Sequence, residues 1–296
     1  MNRSPSPGGG SLRLGPVDVL IFAPHPDDEV IGTAGVIQQA LESGRRVRVV
    51  FATNGDGSSK AASQLFRRAA TSLREGDYVR LARRRQQEAI AADGKLGLGN
   101  SDLVFLGYPD AALAAVYANR GNEPIRSPTT GRTTTYGPFK TDHHTLARGR
   151  PAAYTHEAAL ADFGDVLRDS RPAQVYVTDP ADLHHDHVAT YNFVHEAMVA
   201  ASLDETLMTF LVHSGPGWPR PAGPTPDSPF ESFSVDGTVY PIGVTWPPPI
   251  RVPLDPGQSA RKLAALDTVF SKIASRKDRL YLESFVKSEE VFWARR

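Results

Sequence analysis

The chain has 296 residues, with 33 Lys plus Arg balanced by 33 Asp plus Glu, and no cysteine. The formal net charge of zero argues against a general nucleic-acid-binding protein, which would carry a basic excess. The lack of cysteine excludes disulfides and thiolate metal sites, so any metal must be bound by His, Asp or Glu.

Residues 1–14 are rich in Ser, Pro and Gly and are expected to form a disordered tail ahead of a single domain over 15–296. The tail lacks the apolar stretch of a secretory signal. No segment approaches the roughly 18 apolar residues that a membrane span requires. We therefore expect a cytoplasmic protein without a membrane span, and the sequence leaves open whether it forms a homo-oligomer.

A strand–helix–strand unit opens the domain. Residues 17–23 form a nearly continuous apolar run, which predicts a strand buried on both faces of a parallel sheet. A helical pattern follows over 28–43 and stops at Gly44, since glycine is favoured just past helix ends. A second β-rich run over 47–53 completes a βαβ unit.

The later elements continue this alternation. They are predicted, in chain order, as a helix at 78–96, a strand at 103–106, a helix at 156–170, a strand at 174–178, a helix after 187 to about 201, a strand at 208–212, one or two short strands within 215–250, and closing helices at 256–274 and 276–286. The alternation predicts an α/β fold with an open, mostly parallel sheet and helices on both faces. The segment 110–155 has little periodicity, so we expect a long loop or insertion near the site.

Two short segments rich in histidine and carboxylates follow predicted buried strands. Residues 24–29 read PHPDDE and follow the first strand, and residues 179–187 read DPADLHHDH and follow the strand at 174–178. In open α/β sheets, ligands bind outside the carboxyl ends of the strands. Both segments therefore lie where a site is expected.

A hydrolytic zinc site would account for these residue types. Such a zinc takes three N or O ligands and leaves a fourth position for water. His25 and Asp28 stand three residues apart on a strand-to-helix turn and can converge on one ion. His187 can complete the set if its strand lies next to the first. Asp27 would then face the metal-bound water as general base.

The second segment carries two further candidates. His184 is positioned to protonate a leaving amine or to stabilise an oxyanion, and Asp186 is suited to orient an imidazole. Each segment also has a structural interpretation, because PDDE could be a helix cap with an acidic first turn and the histidines could form a solvated loop. Two such segments with complementary ligand types, both after buried strands, favour the metal site.

The same segments resemble the motifs of the PIG-L/LmbE family of zinc-dependent N-acetylglucosaminyl deacetylases. Residues 25–29 match its HPDDE motif and residues 184–187 match its HxDH motif. Shorter similarities occur in the same order at 53–55 (TNG), 85–88 (RQQE), 96–97 (LG), 105–110 (FLGYPD) and 290–293 (EVFW). The resemblance covers most of the chain from about 17 to 293 and is weakest at 111–170 and 214–255.

This resemblance implies a Rossmann-like three-layer fold and one catalytic Zn²⁺ per chain. The family's site residues carry over by motif position to the metal ligands His25, Asp28 and His187, the base Asp27, the acid or oxyanion stabiliser His184, and Asp186, which would support His184. The expected reaction is hydrolysis of the N-acetyl group of an N-acetylglucosamine-type sugar or glycoconjugate, giving acetate and a free amine.

Four more side chains are candidates for substrate contact, namely Arg85, Tyr108, Asp110 and His213. Each has a structural alternative; Arg85 and Glu88, for example, stand three residues apart on a predicted helix and could form a surface ion pair.

Two other functions stay open at this point. One is a zinc hydrolase of a different amide or ester, which substrate profiling would distinguish. The other is a non-catalytic Rossmann-like protein that binds a sugar or nucleotide, which leaves the two His/Asp segments unexplained.

Overall fold

The computed structural model describes residues 14–203, 206–269 and 275–295. The predicted tail at 1–14 therefore lies outside the described residues, except for its last position. The last five residues of the helix predicted at 256–274 also lie outside them. Within this part of the chain, no helix is both long and apolar enough to cross a membrane.

The described elements alternate between strands and helices over most of the chain. The strands are β1 (Val19–Ala23), β2 (Val47–Thr53), β3 (Leu103–Tyr108), β4 (Gln174–Thr178), β5 (Leu207–Phe210), β6 (Phe233–Val235), β7 (Thr238–Tyr240), β8 (Ile250–Pro253) and β9 (Glu289–Arg295). The helices are α1 (Asp28–Glu42), α2 (Ser59–Phe66), α3 (Glu75–Leu96), α4 (Leu113–Ala118), α5 (His143–Arg148), α6 (His156–Ser170), α7 (His185–Ala200), α8 (Pro256–Val269) and α9 (Arg276–Glu283).

Seven strands form one sheet in the order β3-β2-β1-β4-β5-β9-β8. Strands β1 to β5 pair in parallel, and β9 is antiparallel to both β5 and β8. This confirms the predicted α/β class and the mostly parallel sheet. The order reverses between β1 and β4, and such a reversal opens a crevice at the carboxyl ends of the two strands.

Both faces of the sheet are covered by helices. Along β1, Val19 and Ile21 pack in a core with α1, α3 and α8, whereas Leu20 and Phe22 pack in a second core with α4, α6 and α7. Successive side chains of a strand point to opposite faces. A strand between two helical layers must therefore be apolar at every position, which is why its sequence is a continuous apolar run.

The structure contains several elements that the sequence analysis did not predict, among them strand β8. The chain closes with strand β9 rather than with a helix, because Val291, Phe292 and Trp293 are all buried against the sheet. Helix α2 was not predicted; it is only eight residues long and buries Ala62 alone. The segment 110–155 contains the short helices α4 and α5.

Helix α1 lies unusually close to its neighbours at two glycines. A Cβ atom at Gly32 would lie 2.1 Å from the ring of Phe210, so a side chain there would displace the helix from the sheet. Glu290 of β9 accepts a hydrogen bond from the Gly35 backbone N–H at 2.9 Å and pairs with the buried Lys262 at 2.7 Å. The EVFW segment therefore anchors the last strand to α1.

Candidate active site

The two His/Asp segments meet at the carboxyl ends of β1 and β4. The turn between β1 and α1 carries His25 and Asp27, and α1 begins at Asp28. After β4, the chain reaches His184 at the start of α7, and His187 lies in the first turn of that helix. Because β1 and β4 pair side by side, the two turns face each other.

Three atoms from these turns form a triangle that can hold a metal. His25 Nδ1 lies 3.1 Å from Asp28 Oδ2, and His187 Nε2 lies 3.2 Å from each of these two atoms. All three side chains are buried. Ligand atoms about 2.1 Å from a tetrahedral zinc lie about 3.4 Å from one another, and two imidazoles with a carboxylate are ligands that zinc favours. The three predicted ligands therefore fit a divalent metal in both spacing and chemistry.

Asp182 orients His187 and had no role in the sequence analysis. Its Oδ2 lies 3.1 Å from His187 Nδ1, and its Oδ1 accepts the backbone N–H of His184 at 2.8 Å. Burial lowers the pKa of His187, but the carboxylates of Asp28 and Asp182 outweigh this effect and raise that pKa to about 10. A carboxylate behind a ligating imidazole fixes the ring and raises its basicity.

Removing this carboxylate is expected to weaken metal binding. We predict that Asp182→Asn lowers the affinity for zinc by about 10–100-fold, the usual cost of losing such a partner. Competition with a chelator measures the affinity. Asp267→Asn, which breaks the surface ion pair between Asp267 of α8 and Arg279 of α9, is the control. An unchanged affinity in Asp182→Asn would contradict the assignment.

The carboxylate of Asp186 contacts His25, and its negative charge also opposes the fall in the pKa of His184, so its supporting role toward His184 stays a prediction. Its Oδ2 lies 3.5 Å from His25 Nε2. The carboxylate also accepts the backbone N–H groups of Ala111 at 2.6 Å and Leu113 at 3.0 Å, which hold it toward the segment after β3. It is the backbone N–H of Asp186 that donates to His184 Nδ1, at 3.2 Å.

His184 is half-buried at the edge of the candidate metal centre. Burial and the nearby charges of His25 and His187 lower the pKa of His184 to about 4. Because Nδ1 accepts a hydrogen bond from the backbone, the proton of the neutral ring belongs on Nε2. The ring is then a hydrogen-bond donor toward the cavity, which suits the stabilisation of an oxyanion.

Asp27 lies beside the triangle and is held by Arg85. The two side chains pair at 2.8 Å between Arg85 Nη2 and Asp27 Oδ1. Burial raises the pKa of Asp27 although the positive charge of Arg85 lowers it. A carboxylate with a raised pKa is a better proton acceptor, which favours Asp27 as the candidate general base.

Arg85 is buried in the site, which corrects the alternative of a surface ion pair with Glu88. Its Nη1 donates to the carbonyl of Gly55 at 3.2 Å, while Glu88 pairs with Arg84 at 2.7 Å. Gly55 has a φ of +66°, and a Cβ atom there would lie 2.5 Å from Arg85 Nη1. Glycine is thus needed at position 55 for two reasons: the backbone is left-handed there, and a side chain would collide with the guanidinium of Arg85.

A cavity of about 420 Å³ opens over these groups. Three of the four candidate substrate contacts line it, namely Arg85, Asp110 and His213. Asp110 Oδ1 lies 3.3 Å from His25 Nε2, and the ring of His213 lies 5.0 Å from that of His187. Tyr108 does not reach the cavity: it is fully buried on the opposite face of the sheet, and its hydroxyl donates to Asp162 at 2.7 Å.

Glu29, the last residue of the first motif, is fully buried and does not line the cavity. Neither of its carboxylate oxygens has a hydrogen-bond partner among the described residues. Burial raises the pKa of Glu29 well above its ordinary value, and the negative charges of Asp93 and Asp27 raise it further. The folded protein therefore retains a proton on Glu29 that the unfolded chain loses.

This retained proton predicts a dependence of stability on pH. Since the folded state binds more protons, the free energy of unfolding should fall by about 1.4 kcal/mol per pH unit above the ordinary pKa of a glutamate. Glu29→Gln should remove this loss, so the variant gains stability over the natural chain as the pH rises above the ordinary pKa of a glutamate. Urea unfolding across this range measures the difference. The exposed Glu157→Gln is the control, and a difference for Glu29→Gln that does not change with pH would contradict the prediction.

Comparison with known proteins relates this site to one family. The model of the PIG-L family, described as GlcNAc-PI de-N-acetylase, matches residues 20–198, which is more than half of the chain. The matched range includes both His/Asp segments. No curated protein matches the chain in sequence.

Several solved structures share the fold over nearly the whole chain. The conserved protein TT1542 from Thermus thermophilus is 17% identical, with 94% of each chain covered and a TM-score of 0.54. GalB, the 4-carboxy-2-hydroxymuconate hydratase from Pseudomonas putida, is 16% identical, with 94% of this chain and 95% of that one covered and a TM-score of 0.53. The N,N'-diacetylchitobiose deacetylase from Pyrococcus horikoshii is 17% identical, with 94% and 83% covered and a TM-score of 0.51. Since these proteins differ in activity, the likeness concerns the fold.

Proposed function

We propose that this chain, which belongs to the PIG-L family, is a zinc-dependent N-deacetylase of an N-acetylglucosamine-type sugar or glycoconjugate. One observation carries the proposal: the atoms His25 Nδ1, Asp28 Oδ2 and His187 Nε2 lie within 3.2 Å of one another beside Asp27, in a single cavity. The products would be acetate and a free amine.

A divalent metal bound to His25, Asp28 and His187 would supply polarisation of the acetyl carbonyl and acidification of a water molecule. Asp27 accepts the proton of the attacking water, and Arg85 keeps its carboxylate oriented. The Nε2–H of His184 donates to the oxygen that becomes negative during the attack. The proton on Asp27 then passes to the departing nitrogen, so the amine leaves uncharged.

Three side chains are proposed to contact the sugar. Arg85, Asp110 and His213 line the cavity around the reacting groups. The carboxylate of Asp110 accepts the backbone N–H of Gly57 at 2.7 Å, which fixes its position. These contacts, one zinc per chain, the single domain and the cytoplasmic location stay predictions, and the oligomeric state stays open.

Release of free amine and acetate from a panel of N-acetylglucosaminides by the zinc-loaded protein tests the proposal, with Asp27→Ala as control. Release that the control lacks would support the deacetylase. Bound zinc without release from any sugar would contradict it and favour a hydrolase of a different amide or ester. Sugar or nucleotide binding without metal would favour the non-catalytic alternative.

A further inference from the structure

The turns that follow β2 and β3 hold each other by two reciprocal hydrogen bonds. The backbone N–H of Gly57 donates to Asp110 Oδ2 at 2.7 Å, and the backbone N–H of Asp110 donates to Asp56 Oδ1 at 3.2 Å. A Cβ atom at Gly57 would lie 2.6 Å from Asp110 Oδ1, so the absence of a side chain lets the carboxylate approach this closely. We call this pair of bonds between residues 56–57 and 110 the clasp.

Tyr136 reaches the clasp from the segment 110–155. Its hydroxyl donates to Asp56 Oδ2 at 2.5 Å, so each oxygen of the Asp56 carboxylate accepts one hydrogen bond. Asp56 is fully buried and does not line the cavity. A buried carboxylate is stable only when donors satisfy it. Tyr136 therefore orients a carboxylate that in turn holds the backbone of Asp110.

The charge of Asp56 depends on these donors. Burial and the negative charge of Asp110 raise the pKa of Asp56 to about 7, whereas the hydrogen bonds from the Tyr136 hydroxyl and the Asp110 backbone lower it. A backbone N–H binds an ionised carboxylate more strongly than a neutral one. Loss of the Tyr136 hydroxyl would raise this pKa further and weaken the bond between Asp56 and the Asp110 backbone.

Tyr136 is itself fixed by its surroundings. Its carbonyl accepts Asn54 Nδ2 at 2.9 Å, and Asn54 Oδ1 accepts Gln86 Nε2 at 2.7 Å. The backbone of Tyr136 also passes close to Gly107 of β3, where the φ is +80° and a Cβ atom would lie 2.7 Å from the Tyr136 carbonyl oxygen. The guanidinium of Arg132 lies over its ring, 4.4 Å from the centroid. The hydroxyl is thus presented to Asp56 from a well-anchored position.

The clasp ends at a side chain of the candidate active site. Asp110 lines the cavity, and its Oδ1 lies 3.3 Å from His25 Nε2. Its other oxygen is held by Gly57, and its backbone is held by Asp56. A looser clasp would therefore displace a carboxylate that is proposed to contact the sugar. Tyr136 and Asp56 have no such contact of their own, since neither lines the cavity.

We propose that Tyr136 and Asp56 are positioning residues, which act through Asp110 and set the place of its carboxylate in the cavity. The segment 110–155 thereby supplies a support for the site through a single hydroxyl. This inference rests on the proposed function for the contact between Asp110 and the sugar. The clasp itself is measurable without turnover, so the two can fail separately.

Residue-resolved hydrogen exchange on the full chain without added zinc measures the clasp directly. In Tyr136→Phe, the backbone N–H groups of Gly57 and Asp110 should exchange at least about tenfold faster, because the loss of a hydrogen bond to a charged group weakens the contact that protects them. Tyr117→Phe is the matched control. It makes the same change in the same segment, but its ring packs against Phe193 of α7, 5.0 Å away. It should leave both exchange rates unchanged.

Turnover of an N-acetylglucosaminide by the zinc-loaded chain tests whether the effect passes through Asp110. Tyr136→Phe should lower kcat/KM by about tenfold in the natural chain and by less than about twofold in an Asp110→Ala background, because the carboxylate that it positions is then absent. Asp56→Ala should show the same dependence on Asp110. A general loss of stability would lower the activity equally in both backgrounds.

Equal effects of Tyr136→Phe with and without the Asp110 side chain would overturn the positioning role, as would unchanged exchange at Gly57 and Asp110. Faster exchange at these two residues, without acetate release from any sugar, would support the dependence of the clasp on Tyr136 and contradict the proposed hydrolysis.

Discussion

Asp28→Ala and His187→Ala are each expected to abolish stoichiometric zinc binding and, with it, turnover. Each change removes one of the three atoms that lie 3.1–3.2 Å apart. The two remaining protein ligands are fewer than a catalytic zinc requires. The loss of affinity should exceed the roughly 10–100-fold that removal of a supporting partner costs.

Metal content after dialysis, measured by elemental analysis, checks this prediction, and turnover is measured on the same samples. His195→Ala is a matched control, because His195 lies on the same helix α7 but packs against the ring of Tyr191, 5.8 Å away. It should retain both metal and turnover. A His187→Ala or Asp28→Ala protein that still holds one zinc per chain would contradict the ligand assignment.

Asp27→Asn is expected to retain zinc and to lower turnover by on the order of 10²-fold or more. The amide has nearly the size of the carboxylate but cannot accept a proton from water at neutral pH. Because Asp27 supplies none of the three candidate ligand atoms, the zinc content of the variant should equal that of the natural chain. Metal analysis together with initial rates separates these two effects.

Glu29→Gln is the matched control for Asp27→Asn, since it makes the same kind of change two residues away in the same motif. Glu29 is buried outside the cavity, so its amide variant should turn over substrate within about twofold of the natural chain. Unchanged turnover in Asp27→Asn would disprove its role as base. Loss of zinc in that variant would instead assign Asp27 to the metal centre.

The fold alone does not decide the chemistry at this site. A hydratase and a deacetylase both match the chain over 94% of its length at 16–17% identity. Sites placed on one fold can carry out different reactions, so a function must be argued from the site. In this chain, the family membership and the triangle of candidate ligand atoms beside Asp27 support the proposed deacetylase.

The sequence by itself determined most elements of the parallel part of the sheet and the proposed set of three metal ligands. Strand β2 and helix α6 begin and end where their patterns predict, because a strand covered on both faces is continuously apolar and an amphipathic helix repeats every 3.6 residues. The convergence of His25, Asp28 and His187 follows from short motifs at the ends of two strands. This convergence also depends on β1 and β4 being neighbours in the sheet, and the two strands do pair in parallel.

Contacts between distant segments were decided by the tertiary structure alone. The carboxylate of Asp186 meets His25 because backbone N–H groups 75 and 73 residues earlier in the chain hold it there. Arg85 enters the site through a gap left by Gly55, and an ion pair joins Lys60 of α2 to Asp278 of α9 across 218 residues. Local propensity and periodicity carry no information on such pairs, because each pair is formed by the packing of whole elements around the sheet.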